Sequence, residues 1–96
     1  MAVGLVMQFP GGTQEQYDAV LEKLGLEGDQ GDWPQGIISH FAGAYSGGWC
    51  VVDHWESQDH FDAFMNDRLG PAIAEVGVPG PPELTTFEVH NSYRHG

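Results

Sequence analysis

Four side chains able to do chemistry fall close together in the chain: His40, Cys50, Asp53 and His54. Imidazole is the side chain best suited to exchanging protons near neutral pH, and two imidazoles beside a thiol could also hold a metal ion. If the hairpin that carries them turns near Tyr45 and Ser46, Ile38 lies opposite His54 and His40 opposite Val52. His40, Cys50 and His54 then share one face, with the histidines as diagonal neighbours. A one-residue slip would part them. Three readings stay open: packed structural histidines, an acid–base or substrate-contacting pair, and a zinc site. The last lacks the spacing of structural zinc sites and an evident fourth ligand. Asp53 alternates to the face away from His54, as a partner for Arg68 or a backbone donor, or as a pocket acid. Cys50 in mid-strand reads as a small apolar residue. His60 and His95 read as solvated.

The elements that must position these residues are legible. The stretch from Gly47 to Phe64 is a β-branched and aromatic strand that passes into a helix with almost no loop. Ser57 is a good N-cap, Asp59 complements the helix dipole, and Phe61, Phe64, Met65 and Leu69 recur at helical spacing. Gly70-Pro71 should break or bend this helix, with Pro71 opening a further turn that carries Ile73 and Val76. Upstream, Val3, Leu5, Met7 and Phe9 alternate as in a strand. Thr13-x-x-Gln16 is a capping box, followed by Tyr17, Val20, Leu21 and Leu24 and a stop at Gly25. Leu26 to Gly36 reads as a solvated loop, since Glu27, Asp29 and Asp32 lack the spacing of a calcium loop, and Trp33 folds it down. Strands are expected near 2–9, 36–43, 48–56 and 83–90, helices near 14–24 and 58–69, and a polar tail over 91–96. The order β-α-β-β-α-β is the ferredoxin-like arrangement, an α+β fold with a four-stranded antiparallel sheet. Two helices cover one sheet face, yet bulky residues such as Phe41 and Val52 fall on both. A second copy of the chain is the economical cover.

The totals set bounds. Ninety-six residues make one domain, and 14 acids against three basic residues leave a formal charge of −11. Such a surface repels phosphate backbones and anionic lipid, so nucleic acid and membranes are poor partners. A lone cysteine, no basic-then-apolar leader and no long apolar run point to a complete, cytoplasmic chain. There is no nucleophile elbow, phosphate loop or dinucleotide fingerprint.

Gly36-x-x-x-His40-x-Ala42-Gly43 followed by Gly47-Gly48-Trp49-x-Val51-x-Asp53-x-Trp55-Glu56-Ser57-x-x-x-Phe61-x-x-Phe64 resembles the dimeric α+β barrel proteins. Within them it is most similar to short stand-alone domains related to the antibiotic-biosynthesis monooxygenases. The likeness spans residues 2 to 91, and Asp53-x-Trp55 before a capped helix is its most specific part. It implies two sheets paired into a barrel, with a small-molecule pocket between sheet and helices. Haem-degrading members carry a tryptophan where Phe64 stands and a histidine ligand near Ala74. Neither is present, so the resemblance implies no haem. Taken with the residues, the expectation is a homodimer that binds a small hydrophobic or aromatic ligand. It would act as a monooxygenase-like enzyme on a small aromatic or polyketide-like substrate, with no cofactor, neither flavin nor metal. His40 would be the acid–base group assisted by His54, with Trp55, Phe64, Tyr45 and Asp53 around the substrate. The rivals are a non-catalytic ligand-binding or stress-response dimer, a cyclase or isomerase of the same fold, and a plain assembly module.

Overall fold

The computed structural model describes residues 1–26, 28 and 31–94. The sequence expectations for Glu27, Asp29 and His95 lie outside the described residues. Four strands, β1 (Val3–Pro10), β2 (Ile37–Tyr45), β3 (Gly48–Trp55) and β4 (Glu83–Glu88), form one antiparallel sheet in the order β2-β3-β1-β4. This is the expected α+β, ferredoxin-like arrangement.

Helix α1 (Gln14–Leu24) starts where the capping box requires: the Gln16 amide donates to Thr13 Oγ1 and the Thr13 amide donates to Gln16 Oε1. It ends at Gly25, whose φ of 73° is a left-handed conformation that costs glycine little. Ser57 caps the second helical stretch by accepting from the His60 amide. That stretch does not break at Gly70-Pro71, and the further turn expected from Pro71 follows directly. It runs as α2 (Gln58–Phe64), a π turn (Met65–Leu69) and α3 (Gly70–Val76). The Gly70 amide donates to the Met65 carbonyl five residues back, and this wider turn lets the helical path continue through a proline that lacks a donor.

Both helical stretches cover the same side of the sheet. Val3, Leu5 and Met7 of β1 and Val51 and Trp55 of β3 are buried there against Val20, Phe61, Phe64, Leu69 and Ala72. The other side is uncovered: Phe41 is 64% exposed and Phe87 54%. The Phe87 ring lies across Gly4, where an added Cβ would come within 2.2 Å of its Cζ. Among the described residues, no helix is long and apolar enough to cross a membrane.

Candidate functional site

The hairpin register decides which side chains meet. Tyr45 pairs with Gly48, so the connection is the two residues Ser46 and Gly47, and from Ser39 on each β2 residue meets a β3 partner one position later than the sequence suggests. His40 therefore lies opposite Asp53, Phe41 opposite Val52, and Ser39 opposite His54. The expected sharing of a face by His40, Cys50 and His54 is corrected by this slip, because side chains alternate with period two. A bulge between Ile37 and Ser39 then resets the strand, so Ile37 pairs with Trp55 and joins the core side together with His40.

His40 and Asp53 are consequently neighbours on the helix-facing side of the sheet. The Asp53 side chain is only 4% exposed, and its Oδ1 lies 2.6 Å from His40 Nδ1. Its Oδ2 accepts from Trp55 Nε1 at 3.2 Å. A carboxylate only accepts, so the Nδ1 proton points at Asp53 and the lone pair of the neutral ring stands on Nε2. Tyr17, on α1, meets it there: its hydroxyl lies 2.5 Å from Nε2 and donates to it. Burial, reinforced by the charges of Asp53 and Asp18, pushes the Tyr17 phenol up to about 12, so the hydroxyl keeps its proton at neutral pH.

These groups stand on the wall of a cavity of about 60 Å³ between sheet and helices. That is several times the ~10–15 Å³ one water needs. Its other walls are almost wholly apolar, with Met7, Val20, Leu24, Trp49, Phe64 and Ile73 among them. Trp33 closes one side: its indole donates to the Gly28 carbonyl at 2.7 Å, and its ring lies 5.2 Å from that of His40. The result is a single polar line, Asp53–His40–Tyr17, in an apolar chamber. It can hold a proton at Tyr17 and receive one at Nε2, and it fixes the tautomer that does so.

The expected site residues separate. His40, Asp53 and Phe64 are in the cavity wall. His54 is on the opposite sheet face with a buried, unpartnered Nε2, so it does not assist His40. Trp55 is fully buried outside the cavity wall, packed edge-on against Phe61 and holding Asp53, so its role is support rather than ligand contact. Tyr45 packs over Gly47 at the hairpin turn, away from the chamber. Asp53 does not pair with Arg68, whose guanidinium bonds the Leu24 carbonyl and Asp32 and lies over the Phe64 ring. The sequence does not mark Tyr17 as a site residue, because its spacing fits the apolar stripe of α1. The signal available was its hydroxyl, which a buried tyrosine has to pair. Among the described residues, no three His, Cys, Asp or Glu side chains are grouped to hold a metal ion.

The fold and the chamber define a ferredoxin-like domain of the kind seen in antibiotic-biosynthesis monooxygenase structures. SnoaB, a cofactor-independent oxygenase from Streptomyces nogalater, superposes with a TM-score of 0.65 at 14% identity over 98% of each chain. The ActVA-Orf6 monooxygenase of Streptomyces coelicolor, solved with nanaomycin D, gives 0.58 at 24% identity over 99% of this chain and 92% of its own. Rv0793 of Mycobacterium tuberculosis gives 0.70 at 15% identity over 98% and 100%. At these identities the likeness establishes the fold. No family model matches the chain, and no curated protein matches it in sequence.

Proposed function

We propose that this chain binds a small aromatic or polyketide-like molecule bearing a phenol or enol, and that it acts on it as a cofactor-independent, monooxygenase-like enzyme. The observation that carries the proposal is the Asp53–His40–Tyr17 line in the wall of an apolar chamber. Removing the hydroxyl proton makes such a ring electron-rich enough to react with oxygen. In this reading the Tyr17 oxygen accepts the ligand proton as its own proton passes to His40 Nε2, and Asp53 stabilises the imidazolium that forms. The chamber wall includes the Asp53 carboxylate and neither Lys nor Arg, so it favours a neutral ligand over an anion. SnoaB and ActVA-Orf6, which share the fold, support this reaction class.

The working unit in this reading is a homodimer, with the uncovered sheet face as its interface. Leaving Phe41 and Phe87 in water forfeits roughly 1.5–3 kcal/mol each. One observation favours a second reading, a non-catalytic ligand-binding dimer: Nε2 is already satisfied by Tyr17, so His40 does not face the chamber with a free lone pair.

The test is native mass spectrometry of protein purified without denaturation, followed by turnover of any released compound by wild type and His40→Gln. Loss of turnover with retained binding supports the enzyme. Equal turnover in a folded His40→Gln removes His40 as the base, and binding without turnover in either protein selects the second reading.

A further inference from the structure

Four aromatic rings form a row along the chamber wall. Trp33 and His40 have ring centroids 5.2 Å apart. His40 and Tyr17 lie 6.0 Å apart with planes within 5° of parallel, and Tyr17 and Trp49 lie 5.3 Å apart. Proton exchange with a ligand uses the ends of the hydrogen bonds but has no need of this row. Ring spacings of 5.2 to 6.0 Å suit electron transfer.

A phenol that loses an electron becomes a far stronger acid, so its oxidation is easiest where a base already holds its proton in a hydrogen bond. Tyr17 is in that position, with its hydroxyl 2.5 Å from His40 Nε2. The far nitrogen of the same ring is 2.6 Å from the Asp53 carboxylate, which stabilises the imidazolium that proton transfer creates. Trp55 in turn holds the carboxylate. Simple ionisation is closed to Tyr17 at neutral pH, since burial and two nearby acids raise its phenol to about 12. The phenol therefore waits in its reduced, protonated form.

We propose that Tyr17 is a redox-active residue, giving one electron to an oxidising radical in the chamber while its proton moves to His40 Nε2. The oxidant is of the organic peroxyl class. The peroxyl radical gains one electron and becomes the peroxide anion. The Tyr17 O–H bond breaks to leave a neutral tyrosyl radical, and an N–H bond forms on His40. Charge and atoms balance with no other participant. Trp49, with its ring centroid 5.3 Å from that of Tyr17, is a second oxidisable ring beside the phenol. The oxidation of Tyr17 can be driven from solution with the chamber empty, so it is tested apart from the reaction proposed above.

The test uses the intact, ligand-free protein and flash-generated ruthenium(III) tris-bipyridine as the one-electron oxidant, with freeze-trapped electron paramagnetic resonance as the readout. A tyrosyl signal is expected in wild type and in a Tyr45→Phe/Tyr93→Phe double variant, and it is lost in Tyr17→Phe. Its formation in wild type slows in deuterated water. In a His40→Gln variant shown by circular dichroism to be folded, formation slows and the deuterium dependence disappears. Absence of a tyrosyl radical in wild type overturns the proposal, as does an unchanged signal in Tyr17→Phe. The solvent comparison needs no substitution at all: a wild-type rate equal in light and heavy water refutes the transfer to His40.

Discussion

Asp53→Asn is the most informative single change. The side chain keeps its size but loses its charge, and an amide can no longer accept from His40 Nδ1 and Trp55 Nε1 through equivalent oxygens. Hydrogen bonds to a charged group contribute about 1.5–3 kcal/mol and neutral ones about 0.5–1.5. The desolvation that a buried carboxylate suffers is relieved at the same time. The net expectation is a loss of about 1–2 kcal/mol, which for a domain of this size lowers the melting temperature by roughly 4–8 °C per kcal/mol. A second readout follows from the Tyr17 phenol, which Asp53 helps to hold at about 12. Without that charge the phenol ionises at lower pH, visible as an earlier phenolate step in ultraviolet titration. Thermal unfolding followed by circular dichroism checks the first effect, and a Tyr17→Phe background assigns the second. An unchanged melting temperature together with an unmoved phenolate step would show that Asp53 does not act on His40 and Tyr17 as described.

Stability should fall in alkali: the folded Tyr17 phenol sits near 12 against an ordinary 10.0, so its contribution is complete below pH 10 and lost as pH rises through 12. After solvent screening of a half-open group the decline amounts to about 1 kcal/mol; urea titrations of wild type and Tyr17→Phe across that range measure it, the variant lacking the decline. Trp55→Phe removes the Asp53 donor and part of a fully buried ring, and should cost about 1–3 kcal/mol by chemical denaturation. Gly4→Ala places a methyl where the Phe87 ring lies and swings that ring off the open sheet face. Self-association should weaken by about 1–2 kcal/mol, a factor of roughly 5–30, in light scattering over a concentration series, with the monomer still folded.

What was legible in the sequence is what short-range chemistry specifies. The Thr13–Gln16 box, Gly25 and Ser57 each act within a few residues, and the alternation of β1 needs no knowledge of its partners. The hairpin register was not legible. A three-residue connection over Tyr45, Ser46 and Gly47 and a two-residue one over Ser46 and Gly47 leave little to choose locally, and that choice reverses every face of β2 relative to β3. The bulge after Ile37 hides the slip further, since Ile37 still falls on the core side. His40 and Asp53 both stand out in the sequence, but their pairing depends on this one count. Tyr17 depends on more: it is 23 residues from His40, and its meeting with Nε2 exists only once α1 is laid on the sheet.

The π turn also has a consequence for how this chain tolerates changes of length. Phe64 and Leu69 are both buried although five positions separate them. At 3.6 residues per turn, five steps leave a side chain about 140° out of phase, facing water rather than the sheet. The wide turn takes up that phase error, so α2 and α3 keep independent registers on the same core. Met65–Leu69 is thus the place where a residue can be lost at little cost, the path closing into a regular helix with both apolar stripes realigned. The same deletion inside α2 or α3 would rotate half the helix away from the chamber it covers.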